Sequence, residues 1–376
     1  MAQFTGTLNS NEIFAALYNM IISQQVFADN IYTARETLAD KSRVDGTLLG
    51  DTKLYYSTDV LKSFEWTNDA EAQNLLKLHR PEAPECQAIT IDQFRMIPIT
   101  VDNYLSKRAW STEGAFSSFN SQMLGWIRDT KKVYDATMFN SFVGTNQTLE
   151  GKQVKTIALP AEPDNVDDYN TEAYNRLVAQ TIATEFANLL VDIEDVNRSY
   201  NDYGNLRSFN ADDLVYVWNA EVVNKLTKLD MPTIFHKDGL IDKFAQNTLP
   251  ARYFGNVNTS AGTTSGTNIV VRSLIEKDYN TVEPSQAGYD AKKHIFPGDL
   301  LPANTAYEAY ETYSEDPSIA CKIYHKTSIP FMTAFETGTE FFNPRSLTET
   351  HYLIWGYNSL EHLKNYPFIT VKLGNE

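Results

Sequence analysis

The feature that most limits what this chain can become lies at residues 111–143. Phe116, Phe119, Met123, Trp126/Ile127, Val133/Tyr134 and Met138 recur every three or four positions, which is the spacing of one helix face. Ser111 or Thr112 suits the cap, and Gly144 the stop. A helix of that span is roughly 45 Å long, more than one globular core needs. The 376 residues of the chain also exceed the roughly 250–300 at which a single core stops growing. Two or more structural units are expected, built around long elements.

The rest of the chain supplies such elements. Residues 10–38 read as a helix, with Asn9 or Ser10 as cap and Ile13, Leu17, Ile21 and Ile22 at helical spacing. In "KLYYSTDVLKSFEW" the side chains Leu54, Tyr56, Val60, Phe64 and Trp66 share one parity, the mark of an amphipathic strand or β-arm. The Pro-rich "HRPEAPE" turns that arm back. So short a stretch buries little by itself, so the arm is expected to lie along something else. Residues 86–102 read as a strand, with Pro98 marking an edge or a bulge. A second amphipathic helix carries Tyr174, Leu177/Val178, Ile182, Phe186, Leu189 and Ile193. "DDLVYVW" followed by "AEVVNKLTKL" reads as a buried strand leading into a helix, as in a mixed α/β layer. Residues 255–268 read as a Gly/Ser/Thr/Asn loop, and "NIVVRSL", "AKKHIF", "CKIYHKTSI" and "FITVKL" as short strands. "GDLLPANTAYEAYETY" is assigned a turn and a short helix. In 351–357, His351, Tyr352, Leu353, Ile354, Trp355 and Tyr357 are nearly all large, as expected of a strand covered on both faces. No internal repeat is visible.

Composition excludes several function classes. A net charge of −16 leaves no basic footprint for a free nucleic-acid binder. The pairs Lys131-Lys132 and Lys292-Lys293 read as solvated surface. Two distant cysteines, Cys86 and Cys321, make neither a disulfide framework nor a metal motif, which fits a reducing cytoplasm. The opening "MAQFTGTLNSNEIF" lacks the charged and apolar regions of a signal peptide. No apolar run approaches the roughly 20 residues of a membrane span. The 21 tyrosines, 20 phenylalanines and five tryptophans point instead to cores and protein–protein contacts.

Chemistry is hard to find. There is no phosphate-binding glycine motif, and "GTTSG" at 262–266 has its serine one place late for a nucleophile elbow. The six histidines form no close ligand pair, and His351 reads as a hydrogen-bonded core or interface residue rather than a ligand. The acidic clusters Asp164–Asp168 and Asp212-Asp213 do not fit a calcium loop and read as loop and cap charge. No catalytic, cofactor-binding or metal residue is assigned, no cofactor is expected, and chelators are expected to leave the subunit's stability unchanged.

The order of parts nevertheless resembles the major capsid proteins of tailed bacteriophages, the HK97-like fold. "GDTKLYYSTDVLKSFEW" is similar to the start of their E-loop, and "QAITIDQFRMIPITVDNYLSKRAW" with "STEGAFSSFNSQMLGWI" to a P-domain strand running into the spine helix. "FFNPRSLTETHYLIWGY" resembles the aromatic Asn-Pro turn and closing strand of small podovirus-type and crAss-like phage head proteins. The resemblance implies an α+β fold: an N-terminal arm and helix at 1–45, an extended E-loop β-hairpin at 46–85, and a P domain at 86–170 with a long spine helix and long sheet. An A domain with a mixed sheet and helices, opening on a backbone helix, follows at 171–335, with a return to the P-domain sheet at 336–376. It implies self-assembly through pentamers and hexamers into an icosahedral head enclosing dsDNA, without sequence-specific DNA contacts. Implied partners are a portal and a separate scaffolding or decoration protein, with no membrane. The place is the virion, assembled in the host cytoplasm. Leu54, Tyr56, Val60, Phe64 and Trp66 are the expected inter-subunit contacts. Two competing readings are an encapsulin-like compartment shell, which shares the fold, and an acidic hydrolase with paired carboxylates.

Overall fold

In a computed structural model the described residues are 37–45, 50, 52–65, 78–102, 113–146, 153–161, 171–227, 247–264, 269–272, 277–280, 292–303 and 305–375. The helix read at 10–38 lies almost wholly outside them. A one-turn helix α1 (Leu38–Lys41) leads to β1 (Arg43–Asp45), β2 (Thr52–Ser57) and the 18-residue β3 (Glu85–Asp102). The long helix α2 (Glu113–Gly144) follows, then β4 (Thr145–Asn146) and β5 (Val154–Leu159). Next come α3 (Thr171–Glu194), β6 (Leu214–Asn219), α4 (Ala220–Thr227) and β7 (Thr248–Leu249). Short strands β8 (Gly255–Val257), β9 (Gly262–Thr263), β10 (Ile269–Val271), β11 (Lys277–Asn280), β12 (Lys292–Ile295), β13 (Ala306–Tyr307) and β14 (Thr312–Glu315) occupy the middle. The last strands are β15 (Ile319–His325), β16 (Phe331–Asn343), β17 (Thr348–Asn358) and β18 (Phe368–Asn375).

The chain divides into two compact units. One contains Phe94–Val133 and Phe335–Gly356; the other contains Glu36–Gln93, Tyr134–Ala334 and Tyr357–Glu376. Two five-stranded sheets dominate, ordered β1-β16-β17-β3-β2 and β5-β18-β15-β6-β7. In the second, β15 lies antiparallel to both β6 and β18, while β5 adds parallel to β18. β6 and β15 are covered almost throughout, so both read as continuous apolar runs. Helix α3 buries Ala179, Ile182, Phe186, Leu189 and Ile193 against this sheet, with the Phe186 ring beside those of Tyr216 and Trp218. Its apolar stripe passes through Val178, whereas Leu177 is exposed.

Three sequence expectations change. The segment 255–268 is not simply a loop, because β8 and β9 form within it and β8 pairs with both β14 and β4. Among the described residues of 298–313 there is no helix; β13 and the start of β14 form there instead. The chain end divides: β17 joins the long sheet, while β18 inserts between β15 and β5. Pro367, with no N–H to donate, sits just before β18, where its carbonyl still accepts from His325. The aromatic strand is covered on both faces only at its end. Trp355, Gly356, Tyr357 and Asn358 are buried, but Tyr352 and Ile354 are half-covered.

Helix α2 runs 32 residues, roughly 48 Å. Its last third buries Tyr134, Met138, Phe139, Phe142 and Val143, with Phe139 near Phe331 and Phe142 near Phe368. In its earlier part Ile127 is buried and Trp126 only half-buried, so the stripe runs through Ile127. Phe116, Phe119 and Met123 have side chains outside the described set. Lys131 is not solvated surface: it is 7% exposed, its amine lies 3.2 Å from a Glu336 carboxylate oxygen, and it sits over the Trp355 ring. The sequence pair misleads because only Lys132 faces solvent.

Gly144 ends α2 for a reason other than backbone handedness. A Cβ there would lie 2.0 Å from the Tyr253 carbonyl oxygen, so only glycine lets the two backbones meet. Gly144→Ala should therefore destabilise the subunit by about 1–3 kcal/mol, read as a lower urea midpoint with unchanged slope.

A second strained choice is Lys322, 1% exposed in the middle of β15. Its amine donates to Thr370 Oγ1 at 2.6 Å and stands over the Phe368 ring. Burial, and then the charge of Lys372, push it well below the ordinary lysine range, against a smaller opposing effect from Cys321. The folded state thus binds fewer protons than the unfolded one, and stability rises with pH toward the ordinary lysine range and is lost as pH falls. Lys322→Met should raise the melting temperature at neutral pH and flatten its rise between about pH 7 and pH 10.

Candidate functional site: an anchored apolar arm

β2 pairs antiparallel with the first six residues of β3, from Thr52 opposite Thr90 to Ser57 opposite Glu85. Strand geometry alternates its side chains, and here the alternation is inverted with respect to hydrophobicity. Ser57 is buried and Tyr55 packs on the core of Ile89, Ile91, Met332 and Leu363. Leu54 and Tyr56 face outward, 52% and 66% exposed. Beyond Ser57 the strand stops, and residues 58–65 run on without regular structure. The strand reading of 53–66 holds only for its first part: past Ser57 the Thr58 carbonyl accepts from Arg207 and the Val60 N–H donates to Asp59 Oδ1. Val60 and Phe64 remain exposed, and Trp66 lies outside the described residues. Returning residues 78–84 meet the outgoing limb. Phe64 and His79 rings lie 4.3 Å apart, and Lys62 pairs with Glu82 at 2.9 Å. Leu61 and Leu78, 77% and 79% exposed, extend the apolar row. Parity reasoning missed both, since parity has no meaning once the strand has ended and Leu78 sits on the return.

The base of this arm is held by polar contacts. Asp59 accepts from the Leu206 N–H at 3.0 Å and from Arg198 at 2.7 Å. Arg198 also donates to the Gly204 carbonyl, and Arg207 donates to the Thr58 carbonyl. Asn205, buried, donates to Ser57 Oγ, which donates to Asn365. The Leu206 N–H first, and then Arg198, hold the Asp59 carboxyl at about 2. The loop at 197–207 therefore fixes where the arm leaves the body, while its apolar side chains stay in water.

Other grouped polar residues serve the fold. Asp213 pairs with Lys326, and Asn210 caps the turn at Asp212. The Asp164–Asp168 cluster lies outside the described residues. His362 lies 2.7 Å from Asp202 and His325 lies 2.8 Å from Thr327 Oγ1. Cys321 is buried, and burial pushes its thiol well up, so it is not poised as a nucleophile. One grouping escaped the sequence reading: Glu340 on β16 and Glu349 and His351 on β17, each offering a ligand atom within 4.8 Å of the others. The signal was Glu-x-His within a strand, which puts both side chains on one face.

The described residues thus form a mixed helix-and-strand body with an outward, anchored apolar arm. The chain belongs to the Phi29-like phage major capsid protein family, whose profile matches residues 4–370. Its fold is similar to a chain of the Staphylococcus phage Andhra capsid, at TM-score 0.57 and 11% identity, over 100% of this chain and 88% of that one. It is also similar to a chain from a structure of the head fiber and inner core protein of native bacteriophage P68, at TM-score 0.58 and 11% identity, over 93% and 87%. No curated protein sequence matches the chain. The protein is thus a structural component of a phage capsid and not an enzyme, and its place is the virion. Among the described residues, no helix is long and apolar enough to cross a membrane.

Asp59→Asn should release the arm without unfolding the body. Amide exchange at Val60 and Leu206 should quicken, while the global melting midpoint stays essentially unchanged, as for surface substitutions. Because the folded carboxyl is depressed, its contribution is present above the ordinary carboxylate range and lost as pH falls through about 2. The wild-type arm should accordingly loosen between about pH 4 and pH 2, in the same exchange measurement.

Proposed function

We propose that this chain is the major head protein of a tailed phage, assembling through pentamers and hexamers into an icosahedral shell around dsDNA. The observation that carries the reading is the row Leu54, Tyr56, Val60, Leu61, Phe64 and Leu78, apolar and exposed on an arm whose base is hydrogen-bonded in place. A two-stranded arm is marginal in water by itself, and an exposed apolar row of this kind marks a surface to be covered. Residues 46–85 then act as the E-loop of an HK97-like fold, lying across the adjacent subunit, with Trp66 in the same contact. Helix α2 acts as the spine helix and α3 as the backbone helix. The long sheet with β3, β16 and β17 forms the P domain, and residues 171–335 the A domain. Portal and a separate scaffolding or decoration protein complete the set of partners, and assembly takes place in the host cytoplasm. The −16 charge suits a wall that confines DNA without binding its sequence.

The test is a deletion that respects the fold. Because β2 pairs with β3 and Tyr55 enters a core, the cut must begin after the Asp59 anchor. Replacing residues 60–84 with a short Gly/Ser linker should leave a soluble subunit with cooperative melting and no closed particles by negative-stain microscopy. Aggregation of the variant, or particles at wild-type yield, would overturn the role given to the arm.

A further inference from the structure

β16 carries Glu340, and its neighbour β17 carries Glu349 and His351. The two β17 residues are two apart, so they share a face. One carboxylate oxygen or ring nitrogen of each of the three lies within 4.8 Å of the others. His351 Nε2 and Glu349 Oε1 are 3.8 Å apart, too far for a hydrogen bond. Two ligands of one tetrahedral zinc ion stand about 3.4 Å apart, given bonds of about 2.1 Å. The His351 and Glu349 side chains are 17% and 26% exposed, while Glu340 is exposed.

We propose that Glu340, Glu349 and His351 bind one divalent first-row transition ion, of the Zn²⁺ class, across the β16–β17 hairpin. The donor set selects the class. Imidazole with carboxylate suits zinc, cobalt, nickel or manganese, whereas calcium and magnesium take six or more oxygens. Three protein ligands leave a position for water. The ion cross-links the two strands, and it replaces the expectation that chelators leave the subunit unchanged. The site is independent of how subunits assemble.

Titration calorimetry of the full-length, EDTA-stripped subunit with Zn²⁺ tests the assignment. One saturable site per chain is expected, with a higher melting temperature on loading, and Co²⁺ should give a visible absorption band at the same stoichiometry. Glu340→Gln and His351→Asn should each weaken Zn²⁺ at least tenfold, and Mg²⁺ should not compete. If His351→Asn fails to fold, Glu340→Gln decides, since its position is exposed. Absence of saturable Zn²⁺ binding, unchanged affinity in the variants, or equal competition by Mg²⁺ would overturn the site, the last by reducing it to a generic acidic patch.

Discussion

Strand β3 is 18 residues long, and its partner β2 covers only the first six. That mismatch governs much of the rest. Among the described residues, β3 beyond Thr90 has β17 on one side and no named strand on the other. Just past that covered stretch, the Gly50 N–H still donates to the Ile91 carbonyl. Pro98, exposed and without an N–H to offer, lies in the part of β3 that β2 does not cover. The part β2 does cover is also where the arm departs, so one short strand sets both the covered edge and the arm's origin.

Elements of periodic burial were legible in the sequence; elements fixed by contacts distant along the chain were not. The α2 stripe from Ile127 onward, the α3 stripe and the buried β6 follow from spacing and residue type alone. Gly144 was placed correctly as a helix end, but the cause is the Tyr253 carbonyl 109 residues later, which no local pattern contains. Lys131 read as surface because it stands beside Lys132; its burial depends on Glu336 and Trp355, both of another segment. β18 was read as a strand, yet which sheet received it depended on β5 and β15.

The arm shows the same division. Its apolar row was visible as period two through Leu54 and Tyr56, and those side chains do face outward. What could not be read was that the strand ends at Ser57, because the residues that end it, Asn205, Leu206 and Arg207, are some 150 positions away. The apolar residues after that point, Leu61 and Leu78, lie outside any parity.

The chemistry of the anchor explains how the arm is fixed while its apolar row stays exposed. Were the arm held by its own leucines and aromatics, those groups would not be left for the contact proposed above. Instead, a carboxylate, two guanidiniums, an amide and a hydroxyl fix its base. Such groups lose little by being paired at the rim, whereas the apolar side chains gain only when water is removed from them. The direction of the arm is set in the subunit itself, so in the proposed assembly part of the ordering cost of association is met beforehand. In that assembly, burial of the row would contribute to contact rather than to the subunit's own folding. Polar residues fix where the arm leaves the body, and the apolar residues are left exposed.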